Sequence, residues 1–379
     1  MDTVGIIGVG FVGESLVNIF SKKYNVIGID TSEKRVSLLR NKFESHKNIT
    51  IQSTYDDIEK CRLVCISVPT LLINTEVDDS HIKTAIRNVE QRISQESTIV
   101  IESSVYIGMT RKLLSHLRKK NIYVGFSPER IDPGRTHPKE EDIPKVISGI
   151  DEESLNKIKY FYSNVFATVV PVSSMETAEM CKLTENCFRM INIAYVNEIS
   201  NACERLGVNV HELINACSTK PFGYMPFYPG LGVGGHCIPI NPRWFAVTNH
   251  ADLPLLMYAT ERMTYRPKQE AIRTLGKYKP KSILVVGVAF KPGENLTTNS
   301  PGLDYASTLI EQGVKTTIYD PLVDMNELNH KFLILSNEHF NTEYIDNNFD
   351  LVCVAIKQHN IDWNILNRCN IPIEKYTDV

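Results

Sequence analysis

No stretch of this sequence has the roughly 18 uninterrupted apolar residues that a membrane-spanning helix needs. The start does not pair a basic segment with a plain apolar run, as a secretory leader does; its apolar run carries glycines at motif spacing. No tract is low in complexity, and no unit of about 20 to 50 residues repeats. A basic excess is missing too: 41 Lys and Arg face 44 Asp and Glu, a net charge of −3, which argues against a nucleic-acid partner. A local basic pocket for a phosphorylated small molecule stays compatible with that balance. The nine cysteines stand singly, without a C-x-x-C pair, and no His/Cys/Asp spacing builds a metal site. Spread thiols without an export signal lead us to expect a reducing, cytoplasmic setting and no membrane partner.

What is present is an ordinary globular composition over 379 residues, 42% hydrophobic and 22% charged, enough for two or three domains with real cores. The first part alternates short β-branched runs (Val4–Val9, Val26–Asp30, Leu63–Val68, Thr98–Ser103, Tyr123–Phe126) with amphipathic segments such as Ser80–Ile93 and Thr110–Lys119. That alternation predicts a doubly wound parallel sheet. From Met175 to Glu204 apolar residues instead repeat at three and four, which predicts one long helix. Strand signals return at Ser282–Phe290, Thr316–Tyr319 and Leu351–Ile356, with a helix at Gly302–Glu311. The expected architecture is α/β: two Rossmann-like doubly wound domains joined by a central long-helix region. The boundaries expected are 1–175, 176–266 and 267–379. The long helix has two outlets for its remaining apolar stripe, a copy of itself in a homodimer or the rest of its own chain, and its pattern leaves both open.

Gly8, Gly10 and Gly13 spell G-x-G-x-x-G between the first strand and a helical pattern. In that context the glycines allow a tight turn and bring a pyrophosphate onto a helix N-terminus. Asp30 ends the second strand, twenty residues beyond Gly10, placed to accept from both adenosine ribose hydroxyls. A carboxylate there repels a 2′-phosphate, which favours NAD over NADP; Arg35, close by, pulls the other way. Thr70 and Ser104 follow two later strands at the edge where ligands of open α/β sheets bind.

Two further features carry chemistry. On the long helix, Lys182, Asn186 and Arg189 fall at spacings of three and four, a polar ridge amid Met180, Leu183, Phe188, Met190 and Ile191. A buried Lys and Asn need partners, and a substrate oxygen is one candidate. In Phe227-Tyr-Pro-Gly-Leu-Gly-Val-Gly-Gly-His-Cys237, glycines let the backbone wrap a ligand, and a thiol follows at once. Cys237 is thereby the favoured nucleophile among the nine, with His236 beside it in sequence. A thiol in a dehydrogenase implies addition to an aldehyde, loss of hydride to give a thioester, and hydrolysis to a carboxylate. Lys182 is the candidate oxyanion partner and Glu129, just past a strand end, the candidate activator of water.

The pieces GVGFVG, SVPT, SPERIDPG, AEMCKLTENCFRMINIAYVNE, STKPFGYMPFYPGLGVGGHCIP and GVAFKP occur in one order across nearly the whole chain. Together they resemble the UDP-glucose/GDP-mannose dehydrogenase family, which performs two successive NAD-linked oxidations of a nucleotide sugar at C6. Within it, SPERIDPG and GGHCIP are similar to the branch acting on UDP-N-acetylhexosamines, UDP-N-acetylglucosamine foremost. The resemblance implies an N-terminal NAD domain, a central dimerising helical region and a C-terminal UDP-sugar domain. It implies Cys237 as nucleophile and Lys182 as general acid/base, and it places Phe11, Val12, Asp30, Thr70 and Ser104 at NAD positions. It places Arg130, Ile131, Lys182, Asn186, Arg189, Gly234, Phe290 and Lys291 against the UDP-sugar, with Phe227 and Tyr228 in the wrapping loop. This chain departs from the family at Leu71, at Asn241 where the family carries Asp, and at Thr298 where it carries an Arg that touches NAD. Asn241 keeps the shape of Asp but cannot hold a charge or take a proton. Two other readings remain: a two-electron dehydrogenase of the 3-hydroxy-acid type, which needs no cysteine, and a non-catalytic nucleotide-sugar binder.

Overall fold

Short β-branched runs bounded by glycine and charged turns form the strands of the first sheet, because both faces of a parallel sheet are covered. The structure, a computed structural model, describes every residue but 74–75, 132–136, 236, 250–251, 329 and 378–379. The chain opens β1 (Thr3–Ile7), α1 (Phe11–Phe20), β2 (Asn25–Ile29), α2 (Glu33–Lys42), β3 (Ile49–Gln52) and β4 (Leu63–Ile66). A small antiparallel pair, β5 (Leu71–Ile73) and β6 (Glu76–Asp78), precedes α3 (Ser80–Glu90), β7 (Thr98–Ile101), α4 (Met109–Leu114) and β8 (Tyr123–Phe126). Then come β9 (Lys145–Gly149), α5 (Glu152–Ser163), β10 (Val169–Pro171) and α6 (Met175–Leu206). The eight strands of the large sheet lie in the order β10-β9-β8-β7-β4-β1-β2-β3. All neighbours are parallel except β8 and β9, so the last two strands run against the rest. Alternate side chains feed two cores: Ile7, Ile29, Ile66 and Ile101 on one face, and Val4, Ile6, Cys65 and Val100 on the other. The order reverses between β1 and β4, which is the switch point where an α/β sheet offers its ligand crevice.

A second sheet follows α7 (Val210–Ser218), α8 (Asn241–Asn249) and α9 (Pro254–Tyr278). Its elements are β11 (Ser282–Val286), α10 (Pro301–Glu311), β12 (Lys315–Tyr319), β13 (Leu333–Ile334), α11 (Thr342–Asn348), β14 (Leu351–Val354), α12 (Asn364–Asn367) and β15 (Ile373–Lys375). The order β13-β12-β11-β14-β15 is wholly parallel and repeats the winding of the first sheet around β11. The protein is thus α/β with two Rossmann-like sheets, and the predicted long helix is present as α6. Pro267 lies inside α9, which runs on to Tyr278, so the helical segment continues past the point where the alternation was expected to resume. Contacts group Met1–Glu185 in one unit, and Asn186–Ala246 with the residues from Asp252 on in another. Among the described residues no helix is long and apolar enough to cross a membrane.

Candidate active site

In the first unit, β1 runs into the glycine turn and α1 starts at once. A Cβ on Gly13 would lie 2.0 Å from the Gly8 carbonyl oxygen, so only glycine lets helix and turn close. A Cβ on Gly10 would meet nothing within 4 Å; that space lies at the N-terminus of α1, whose N-cap has no side-chain hydrogen bond. The free N–H groups of a helix start favour an anion there. Asp30 Oδ2 accepts from Val9 N at 2.9 Å and Oδ1 from Ser32 N at 2.9 Å, each oxygen keeping a lone pair for a hydroxyl. Thr70 Oγ1 donates to the Ser104 carbonyl at 2.6 Å, which joins two strand ends singled out separately in the sequence. Phe11 is exposed and Val12 half-buried. These residues fit a dinucleotide. Gly10→Ala is expected to leave the melting temperature within about 2 °C and weaken NAD binding at least about tenfold; Gly13→Ala lowers both. Calorimetric titration beside a thermal melt separates the two.

Arg35, which left the choice of cofactor open, is already engaged. Its Nε donates to the Val9 carbonyl at 2.8 Å and its Nη2 to the Gly10 carbonyl at 3.3 Å, and it pairs with Glu14.

At the end of β8 the chain is strapped down. Ser127 Oγ donates to the Val146 carbonyl at 2.8 Å, and Lys145 Nζ to the Pro128 carbonyl at 3.1 Å. This fixes Glu129, whose Oε2 accepts from Lys182 Nζ at 3.1 Å. The two carry 14% and 11% side-chain exposure, so this is a largely buried pair and not a solvated surface bridge. The other Glu129 oxygen accepts from Ile131 N, leaving the ammonium with spare donors. Arg130 pairs with Glu185 at 2.6 Å and donates to the Pro144 carbonyl at 2.7 Å; Ile131 is half-buried.

In the second unit, Asn186 and Asn241 are both buried, and Asn186 Nδ2 donates to Asn241 Oδ1. An Asp at 241 would accept the same bond, so the amide keeps the contact and loses the charge. Asn241 opens α8, its N–H bonded to the Cys237 carbonyl at 2.9 Å. The Cys237 side chain is exposed. Behind it the loop is held by backbone: Gly235 N donates to the Thr298 carbonyl at 2.8 Å, and Asn299 Nδ2 to the Gly235 carbonyl at 2.9 Å. Gly235 has φ +83°, and a Cβ there would lie 2.9 Å from the Phe290 ring. Gly234 is packed as tightly, 2.8 Å from Phe290 Cβ. Phe227 meets Phe188 edge-on at 5.9 Å, and Tyr228 lies parallel to His211 at 6.1 Å. Lys291 is half-buried. His236, and the Asp-Pro-Gly of SPERIDPG, lie outside the described residues.

Some expectations need correction. Arg189, Met180 and Phe188 are exposed, so the polar ridge is buried at Lys182 and Asn186 and reaches solvent at Arg189. Sequence reasoning also missed Glu185, Asn299 and the pair Lys145–Glu102. A Lys opening the apolar run of β9 was the one signal for the last. Asp320, at the end of β12 like Asp30 after β2, is buried and accepts from Val288 N, Ala289 N, Leu322 N and Gln358, leaving no place for a ribose.

The comparisons agree with this geometry. The NAD binding domain of the UDP-glucose/GDP-mannose dehydrogenase family matches residues 2–166, its central domain 176–262 and its UDP binding domain 284–370. A UDP-N-acetyl-D-mannosamine dehydrogenase of Methanococcus vannielii is 31% identical over 83% of this chain and 79% of its own length. A UDP-N-acetyl-D-glucosamine 6-dehydrogenase of Pseudomonas aeruginosa is 28% identical over 87% and 85%. The solved structure of the UDP-D-ManNAc dehydrogenase of Pyrococcus horikoshii matches with a TM-score of 0.86 at 26% identity, covering 99% of this chain and 95% of that one. The chain therefore belongs to the UDP-glucose/GDP-mannose dehydrogenase family and is an NAD-dependent oxidoreductase of nucleotide sugars.

Proposed function

We propose that this enzyme oxidises C6 of a UDP-N-acetylhexosamine to the carboxylate in two steps, through a thiohemiacetal and a thioester on Cys237. The observation that carries the reading is an exposed thiol at the end of a glycine loop seated on Phe290 and Thr298. We assign residues 1–175 to NAD, 176–266 to dimerisation and catalysis, and 267–379 to the UDP-sugar, with a homodimer formed through α6.

NAD, when bound, would supply the hydride acceptor, one molecule for each of the two oxidations. Gly8, Gly10 and Gly13, with the start of α1, hold its pyrophosphate; Asp30 holds the ribose, and Thr70 and Ser104 line the crevice. Lys182 hands one proton to Glu129, which releases it to water, and as the amine takes the C6 hydroxyl proton while the first hydride leaves; Glu129 then keeps the restored ammonium in place. The Cys237 sulfur then bonds to the aldehyde carbon, its proton passing to the new oxyanion, which Lys182 and Asn186 stabilise. Loss of the second hydride, with the hydroxyl proton passing to water, leaves a thioester. Water, deprotonated by Glu129, breaks the C–S bond and returns the thiol. Arg130, Ile131, Arg189, Gly234, Phe290 and Lys291 contact the UDP-sugar, and Phe227 and Tyr228 close the loop over it. We place Asn241 beside Asn186 as a neutral support and Thr298 beneath the loop, where its backbone serves.

Relatives named for both N-acetyl epimers support the substrate class. Three at 30–31% identity, from Methanococcus maripaludis, Methanocaldococcus jannaschii and Methanococcus vannielii, are named for UDP-N-acetyl-D-mannosamine, which favours that epimer over the glucosamine epimer expected from the sequence. The test counts NADH per sugar consumed with UDP-N-acetylmannosamine, UDP-N-acetylglucosamine, UDP-N-acetylgalactosamine and UDP-glucose. A ratio near two is expected with an N-acetylated sugar. A ratio near one would place the chemistry at the aldehyde, and no NADH with any of the four would return the reading to a binder.

A further inference from the structure

Glu14 stands on the first turns of α1, beside the fingerprint, and has no role in the reaction above. Its side chain bridges α1 to α2. One oxygen accepts from Lys42 Nζ and the other from the Arg35 guanidinium, so both oxygens are engaged. Arg35 is held through Nε on the Val9 carbonyl and through Nη2 on the Gly10 carbonyl and on Glu14. The pair is mostly withdrawn from solvent, at 29% and 17% side-chain exposure, where a multidentate charged contact holds better than on an open surface. The cleft beside it, about 320 Å³, is lined by Phe11, Glu14, Ser15, Asn18, Arg35 and Glu140. Its two carboxylates face one guanidinium that is already paired.

A 2′-phosphate brings about two negative charges at neutral pH and needs a free guanidinium or ammonium. We infer that Glu14 is a cofactor-discriminating residue: by holding Arg35 on the carbonyls of the glycine turn, it withholds the nearby guanidinium that would otherwise receive a 2′-phosphate. Asp30 excludes that phosphate by its own charge, and Glu14 excludes it by removing the partner. Removing the Glu14 charge takes the carboxylate partner from Arg35 Nη2 and leaves Lys42 without its counter-charge, so the same corner turns basic.

The test is direct calorimetric titration of the full chain with NAD and with NADP, read as the ratio of the two dissociation constants. A purely structural bridge between α1 and α2 would move both constants together and leave the ratio. Glu14→Gln is expected to lower the NADP-to-NAD ratio by about tenfold or more. Glu14→Gln/Arg35→Gln is expected to return it to within about twofold of Arg35→Gln alone, because the gain works through Arg35. Lys42→Gln breaks the other half of the bridge without releasing Arg35 and is the control for loosened packing; its ratio is expected not to fall. An unmoved ratio in Glu14→Gln would overturn the inference. So would a gain that survives removal of Arg35, or an equal gain in Lys42→Gln.

Discussion

Cys237→Ala is expected to cut uronate formation by at least about 10³-fold while the first oxidation still proceeds. The two steps differ in what they ask of the protein. Removing hydride from the C6 alcohol needs a base for the hydroxyl proton, and no nucleophile. Removing hydride from the resulting aldehyde needs a tetrahedral adduct first, and the thiol supplies it. Without the sulfur, the hydrated aldehyde is the sole donor, a poorer and unanchored one. NADH per sugar should therefore approach one in a single-turnover experiment, and hydroxylamine should trap the aldehyde. Four of the other thiols are poor substitutes. Burial pushes Cys61, Cys187 and Cys353 up to about 12, so they stay protonated at neutral pH, and Cys65 is raised as well by full burial. Undiminished uronate formation in this variant would remove Cys237 from the mechanism, and undiminished NADH production with no uronate from either form would restore the two-electron, 3-hydroxy-acid type of reading.

The glycine fingerprint was legible because its requirements are local: a strand, a turn without Cβ atoms and a helix start all lie within a dozen residues. Thr70 and Ser104 were legible as strand ends, and the winding of both sheets followed from alternation. The direction of β9 was not, because a strand has the same period of two whichever way it runs. Charged groups read least well. Glu129 and Lys182 were each singled out, but nothing over the 53 residues between them says that they pair. Glu179 is buried on α6, and its carboxylate receives Gly108 N and Thr110 N at the start of α4, partners 71 and 69 residues away. Arg35 stands in the sequence as a candidate partner for a 2′-phosphate, and only the structure shows Glu14 and two carbonyls holding it. A partner distant in sequence decides the role of a charge, and that distance carries no periodic signal.

The largest effect on stability is expected from Lys145→Met. Lys145 and Glu102 form an ion pair at 7% and 0% side-chain exposure, and Tyr162 donates to the same carboxylate at 2.5 Å. Removing one partner of a buried pair leaves the other charge unpaired, which costs about 3–5 kcal/mol, whereas replacing both is often neutral. In a folding unit the size of Met1–Glu185 each kcal/mol lowers a melting transition by about 2–4 °C, so a fall of about 10 °C is expected. The sign with pH follows from Glu102, whose carboxyl burial pushes above its usual range even with Lys145 beside it. A carboxyl raised in the folded state adds stability below its unfolded value near 4.3 and loses it as pH rises through the folded value. With the ammonium gone the folded value rises further, so Lys145→Met should be less impaired at pH 5 than at pH 8. Glu102→Gln/Lys145→Met should recover most of the loss at both. A pH-independent loss, or one no deeper than the double variant's, would mean that the pair is not what holds this part of the core. The pair matters to the chemistry because the same ammonium fixes the Pro128 carbonyl, one residue before Glu129. In the double variant that tether is gone while the fold is kept. Its turnover should therefore fall while its melting temperature recovers, which separates the positioning of Glu129 from the stability of the sheet that carries it.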